Sequence, residues 1–69
     1  MLALKILGFL DDSPLHGYEL RRRINELDGP GSRLSEGALY PALTRLEKAG
    51  YLVRTDEPGA RGRMRRRVE

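Results

Sequence analysis

The chain has no cysteine and a single histidine, His16, among its 69 residues. Without thiols it forms no disulfide and no thiolate metal site, and one imidazole does not build a zinc site alone. Phosphate-binding loops and metal-ligand clusters are also missing, and the adjacent Asp11 and Asp12 are better explained as the polar end of a helix than as paired catalytic carboxylates. We therefore expect no enzyme, no cofactor and no metal, and the lack of cysteine fits the reducing cytoplasm.

Long hydrophobic runs are missing as well. The most apolar segment, Met1 to Leu10, is interrupted by Lys5 and followed by two aspartates. It lacks the basic region and the small-residue cleavage site of a signal peptide, and it is far shorter than the ~20 residues that span a bilayer. We expect a core helix here and no membrane partner.

Size and composition limit the fold to one small domain, which we place at 1–69. Hydrophobic residues make up 39% of the chain, which is enough for a folded core. Such a core supplies only a few kcal/mol of net stability, so a partner subunit or flanking sequence would add to it.

Positive charge is clustered rather than spread evenly. The net charge is only +3 and the pI is near 9.8, but arginines are grouped at 21–23 and five more lie within 61–67. Clustered arginine favours a polyanionic partner. A solvated helix face is the alternative for the first group, and a solvated tail is the alternative for the second.

Apolar residues at helical spacing predict two helices in the first half of the chain, at about 2–11 and about 17–28. In the second helix we expect three residues to form the buried stripe: Leu20, Ile24 and Leu27. His16 is the expected N-cap, because it places Glu19 at the third helical position, where a carboxylate can accept from free backbone N–H groups.

A third helix is predicted at about 36–49, between the N-cap Ser35 and the stop residue Gly50. Its apolar side predicts the core face: Leu39, Ala42, Leu43 and Leu46. Its other side is small, aromatic, hydroxylated and cationic: Gly37, Tyr40, Pro41, Thr44, Arg45 and Lys48. Within a regular helix Pro41 would cost roughly 3 kcal/mol, and less near the N-terminus.

The remaining chain predicts a β-hairpin. Tyr51 to Thr55 is one strand, 58–62 is a turn, and Arg63 to Glu69 is the returning strand. Strand alternation places one set of side chains on the outer face, namely Arg63, Arg65 and Arg67, and the other set on the inner face, namely Met64, Arg66 and Val68. A further short strand is expected at 33–34.

This order of elements is that of a winged helix-turn-helix: mainly α, with three helices and a two-stranded wing. A recognition helix contacts bases in the major groove mainly through its N-terminal half, and an arginine-rich wing can reach the minor groove or the backbone. We expect DNA contacts from Ser35, Gly37, Tyr40, Pro41, Thr44, Arg45, Lys48, Arg61, Arg63 and Arg65. The alternative is a winged helix that binds another protein, which predicts an exposed apolar patch.

Several segments resemble the N-terminal domain of PadR-family transcriptional regulators. The matching segments are IleLeuGlyPheLeu at 6–10, LeuHisGlyTyrGluLeu at 15–20, LeuSerGluGlyAlaLeuTyrProAlaLeu at 34–43, ArgLeuGlu at 45–47 and GlyTyrLeu at 50–52. The resemblance implies a winged helix that binds double-stranded operator DNA as a homodimer, usually as a repressor released by a small-molecule effector or a cellular signal. It also explains Pro41, which the family carries inside its recognition helix.

The chain departs from the family pattern in two places. The second wing strand of the family usually has aromatic residues where Arg67 and Val68 stand here. The family also continues into C-terminal dimerisation helices beyond the position of Glu69. The resemblance therefore implies a homodimer of the full-length protein.

Overall fold

The structure is a computed structural model that describes residues 1–67. Three helices precede a two-stranded antiparallel sheet: α1 (Leu2–Asp12), α2 (Gly17–Asp28), α3 (Glu36–Lys48), β1 (Leu52–Arg54) and β2 (Met64–Arg66). The helices begin where the sequence predicts and end within a residue of it, while both strands are shorter than predicted. The predicted winged-helix fold class is confirmed.

One core joins all five elements. Its members are less than a tenth exposed: Ile6, Leu10, Leu15, Leu20, Ile24, Leu39, Ala42, Leu43, Leu52 and Met64. Fully burying one side chain of this size contributes roughly 1.5–3 kcal/mol. The predicted core face of α3 is confirmed, with Leu46 partly buried at its margin.

The buried stripe predicted for α2 is wrong at its last member, because Leu27 is 62% exposed. Leu27 lies in the final turn of α2, a helix that packs against α1 and α3. Together with Gly8 and Phe9 it lines only a shallow hollow on the surface. Helical spacing identified the correct face of α2 but not the length over which other elements cover it.

The predicted helix caps are confirmed. The Glu19 carboxylate accepts a hydrogen bond from the backbone N–H of His16 at 2.9 Å, and Ser35 Oγ accepts from the Ala38 N–H at 3.2 Å. Each bond satisfies a backbone donor at a helix start that has no partner within its helix. After α3, Gly50 turns the chain with φ +88°, a conformation that glycine adopts without strain.

The short strand expected at 33–34 is wrong. The backbone of Leu34 pairs instead with the side chain of Asn25, whose Oδ1 accepts from the Leu34 N–H at 2.7 Å and whose Nδ2 donates to the Leu34 carbonyl at 3.4 Å. An asparagine amide offers the same donor and acceptor as a peptide group. Asn25 therefore fixes the chain just before α3.

A strand-like pairing occurs instead between the α1–α2 loop and the wing. Leu15 and Met64 exchange two backbone hydrogen bonds, at 2.9 Å and 2.8 Å. Both side chains are buried, so the pairing brings the loop before α2 into the same core as the sheet.

Two ion pairs flank the inner face of the wing. Arg54 Nε lies 2.9 Å from a Glu47 carboxylate oxygen of α3, and Arg66 Nη1 lies 2.6 Å from an Asp11 oxygen of α1. Arg66 is thus on the inner side of β2, as predicted, and it reaches the edge of the core. Val68, predicted on the same side, and Glu69 lie outside the described residues.

Candidate nucleic-acid interface

The outward face of α3 contains the residues predicted to contact DNA. All seven are exposed: Ser35, Gly37, Tyr40, Pro41, Thr44, Arg45 and Lys48. Leu39 and Leu43, on the opposite side, are fully buried. The helix is continuous through Pro41. The core packing therefore leaves a surface of small, hydroxyl, aromatic and cationic side chains open to a partner.

The ring of Tyr40 packs against the start of α2 at Gly17. A Cβ atom built on Gly17 would lie 2.8 Å from Cε1 of the Tyr40 ring and 3.0 Å from its hydroxyl oxygen. Only a residue without a side chain lets the ring lie this close to the backbone. Tyr40 remains 38% exposed, so one part of its ring packs on α2 and another part faces solvent.

The start of α2 also lies next to the wing. The rings of His16 and Tyr18 stack with their centroids 5.7 Å apart. A Cβ atom on Gly62, which has φ +85°, would lie 3.8 Å from His16 Nδ1. Residues 16–18 therefore lie between α3 and the wing. From the sequence, these residues were predicted to begin α2 and they supported the family resemblance. They were not predicted to belong to the interface.

The three wing arginines predicted to contact DNA do not share one environment. Arg61 and Arg65 are exposed, whereas Arg63 is half-buried. The Nε atom of Arg63 is buried and has no hydrogen-bond partner among residues 1–67. Arg63 precedes β2, which begins at Met64, and its backbone N–H donates to the Ala60 carbonyl in the turn of the wing.

Arg63 acts on the electrostatics at the start of α2. The hydrogen bond from the His16 backbone lowers the pKa of the Glu19 carboxyl, and desolvation opposes this shift. The charges of Arg63 and Arg22 lower that pKa further. The carboxylate that caps α2 therefore loses its charge only at a lower pH than a free glutamate does.

The tip of the wing carries mixed charge. Thr55 closes the loop by donating to the Arg63 carbonyl and accepting from the Gly62 N–H, both at 2.9 Å. The enclosed residues 56–61 include Asp56 and Glu57 as well as Arg61, all exposed. The positive charge of the wing is therefore concentrated within residues 63–67 rather than at the tip.

Among residues 1–67 no group of three or more His, Asp or Glu side chains is placed to bind a metal ion. Within the same range no helix is both long and apolar enough to cross a membrane.

A helix-turn-helix with an exposed second helix, joined at its base to a hairpin, defines a winged helix-turn-helix domain. The sequence profile of the transcriptional regulator PadR-like family matches residues 6–68. This chain belongs to the PadR-like family of transcriptional regulators.

Two relatives contain a region similar to this chain, and both are longer than it. Transcriptional regulator Rv3488 of Mycobacterium tuberculosis is 42% identical over 65 residues, which cover 94% of this chain and 57% of that protein. An uncharacterised 37.1 kDa protein in transposon TN4556 of Streptomyces fradiae is 47% identical over 58 residues, which cover 84% of this chain and 16% of that protein. The chain therefore spans less than two thirds of either relative.

Proposed function

We propose that this domain binds double-stranded operator DNA sequence-specifically, with α3 in the major groove and the wing at the minor groove or the backbone. The observation that carries the proposal is the single surface formed by the exposed face of α3, the start of α2 and the wing. Membership of a family of transcriptional regulators supports it. By the same resemblance, the full-length protein is a cytoplasmic homodimer that represses transcription and is released by a small molecule or a cellular signal.

The side chains of α3 suit distinct parts of a duplex. Gly37 lets the backbone approach closely, and Ser35 with the free N–H groups at the helix start can bind a phosphate. Thr44 can contact a base edge or a thymine methyl group. Arg45 and Lys48, in the last turn, supply positive charge for the backbone.

The proposal is tested by fluorescence anisotropy with a duplex selected from a random pool, over a range of salt concentrations. Phosphate contacts release counterions, so the affinity should fall steeply as salt rises. No binding at low salt, by either residues 1–69 or the full-length gene product, would refute the proposal and favour the protein-binding alternative. The exposed Leu4 and Leu27 are the apolar residues from which that alternative would be built.

Lys48→Ala is expected to change the salt dependence of DNA binding, whereas Thr44→Ala is expected to change the sequence preference. If Lys48 binds a phosphate, its loss reduces the salt slope by about one unit and weakens binding equally for all sequences. If Thr44 reads a base, its loss changes the preferred sequence more than the total affinity. Selection from a random pool with each variant checks this, and an unchanged sequence preference for Thr44→Ala would remove Thr44 from base reading.

Gly17→Ala is expected to displace the Tyr40 ring from α2. The new methyl group would lie within 3 Å of the ring, and Tyr40 can move because it is partly exposed. The free energy of unfolding should change by about 1 kcal/mol or less, while DNA affinity falls. In a Tyr40→Ala background the same Gly17 substitution should have almost no effect on affinity. Additive losses from the two substitutions would contradict this coupling.

A further inference from the structure

A groove runs along the exposed side of α2 to the turn before α3. We name it the α2 groove; its lining includes Tyr18, Arg21, Arg22, Glu26, Ser32 and Arg33. None of its three arginines belongs to the set predicted from the sequence to contact DNA. Two of them come from the 21–23 cluster, for which a solvated helix face was the alternative.

The α2 groove carries an excess of positive charge. Three arginines meet one carboxylate, Glu26, so the lining has a net charge of +2, compared with +3 for the whole chain. The ion pairs of the described residues use other basic groups, namely Lys5, Arg54 and Arg66. Within residues 1–67, no carboxylate forms an ion pair with Arg21, Arg22 or Arg33. The groove is therefore complementary to a polyanion.

Both ends of the α2 groove adjoin the surface proposed to read DNA. At one end Tyr18 stacks on His16, which lies beside Gly62 of the wing. At the other end Arg33 lies two residues before Ser35, the N-cap of α3. The backbone between them is fixed, because Asn25 pairs with both polar groups of Leu34. Arg33 is thus placed by the same contact that places the recognition helix.

We propose that the α2 groove binds the sugar-phosphate backbone of the same duplex that α3 reads, with Arg22 and Arg33 as its main phosphate contacts. This inference rests on the proposed function and extends the contacts beyond the recognition helix and the wing. Guanidinium groups bind phosphate oxygens through paired N–H donors, and such contacts position a protein on the duplex without reading its sequence. The α2 groove therefore sets affinity and register, while α3 sets sequence preference.

Arg23 provides a matched control. It is a neighbouring arginine on the same helix, it is exposed, and it does not line the α2 groove. Replacing Arg22, Arg23 or Arg33 with alanine removes the same charge in each case. If only the total positive charge matters, all three variants should lose the same DNA affinity. If the α2 groove binds the sugar-phosphate backbone, only the Arg22 and Arg33 variants should lose affinity.

The experiment measures the salt dependence of binding for these variants, with a selected duplex and a scrambled duplex as probes. Arg22→Ala and Arg33→Ala should each reduce the slope of log affinity against log salt by about 0.9, which is roughly eightfold in affinity at 0.1 M salt. The loss should be the same for both duplexes. Arg23→Ala should retain the wild-type slope, and Arg22→Lys should largely restore it. Circular dichroism confirms that each variant is folded.

The outcomes separate this inference from the proposed function. If Arg22→Ala and Arg33→Ala retain the wild-type slope while Lys48→Ala reduces it, DNA binding stands and the α2 groove is not part of it. The same conclusion follows if Arg23→Ala weakens binding as much as the two groove variants do. If the wild-type protein binds neither duplex at low salt, the proposed function and this inference both fail. A groove that then binds an acidic peptide would identify a protein partner.

Discussion

Leu43→Ala is expected to lower the free energy of unfolding by about 2–5 kcal/mol, because Leu43 is fully buried and its truncation leaves a cavity in the core. A domain of this size rarely has more than about 3–5 kcal/mol of core stability. Most of the variant should therefore be unfolded at room temperature. Urea and thermal denaturation followed by circular dichroism measure the effect.

Leu27→Ala is the matched control for this prediction. It removes the same atoms from a helix, but Leu27 is 62% exposed. Its effect should be about 0.5 kcal/mol or less, as for most surface substitutions. Equal losses from the two leucines would mean that Leu43 does not lie in the core. A Leu43→Ala protein that unfolds like the wild type would reverse the assignment of the buried and exposed faces of α3.

Asn25→Ala is expected to cost about 1–3 kcal/mol, because it leaves the partly buried backbone N–H of Leu34 without its acceptor. The chain before α3 then loses its fixed position. Binding to DNA should weaken beyond the effect of stability alone, since Arg33 and the start of α3 are both displaced. Denaturation and anisotropy, measured under conditions where the variant is folded, separate the two effects.

Asn25→Asp separates the two bonds that Asn25 makes. A carboxylate keeps the acceptor for the Leu34 N–H, which is the shorter bond at 2.7 Å, and loses the donor for the carbonyl, which is the longer bond at 3.4 Å. We expect Asn25→Asp to retain more stability than Asn25→Ala. If both variants unfold like the wild type, the turn before α3 is held by other contacts.

The sequence predicted the structure correctly where the structure depends on local patterns, such as apolar spacing and helix-capping residues. The apolar positions of α3 predicted its buried face, and the identities of Ser35 and Glu19 predicted how two helices begin. These features depend on residues close together in the chain. The exposed face of α3 followed from them, because a helix that buries one side must present the other.

The pattern failed where a residue's environment depends on distant parts of the chain. Leu27 has the spacing of a core residue, but it lies at the surface, where it lines a shallow hollow with Gly8 and Phe9 of α1. Arg63 has the spacing of an exposed residue, but it is half-buried and its Nε atom is buried. The contact of Gly17 with Tyr40 joins two helices, and nothing within either segment alone predicts it.

The pairing of Leu15 with Met64 also has a consequence for the order of assembly. These residues lie near opposite ends of the chain, yet their two backbone bonds join the wing to the loop before α2. During synthesis from the N-terminus, all three helices are complete before Met64 has been added. The wing and the start of α2 can take their final relative positions only when nearly the whole domain has emerged. A nascent chain that stopped before Met64 would carry α3 without the completed surface around it.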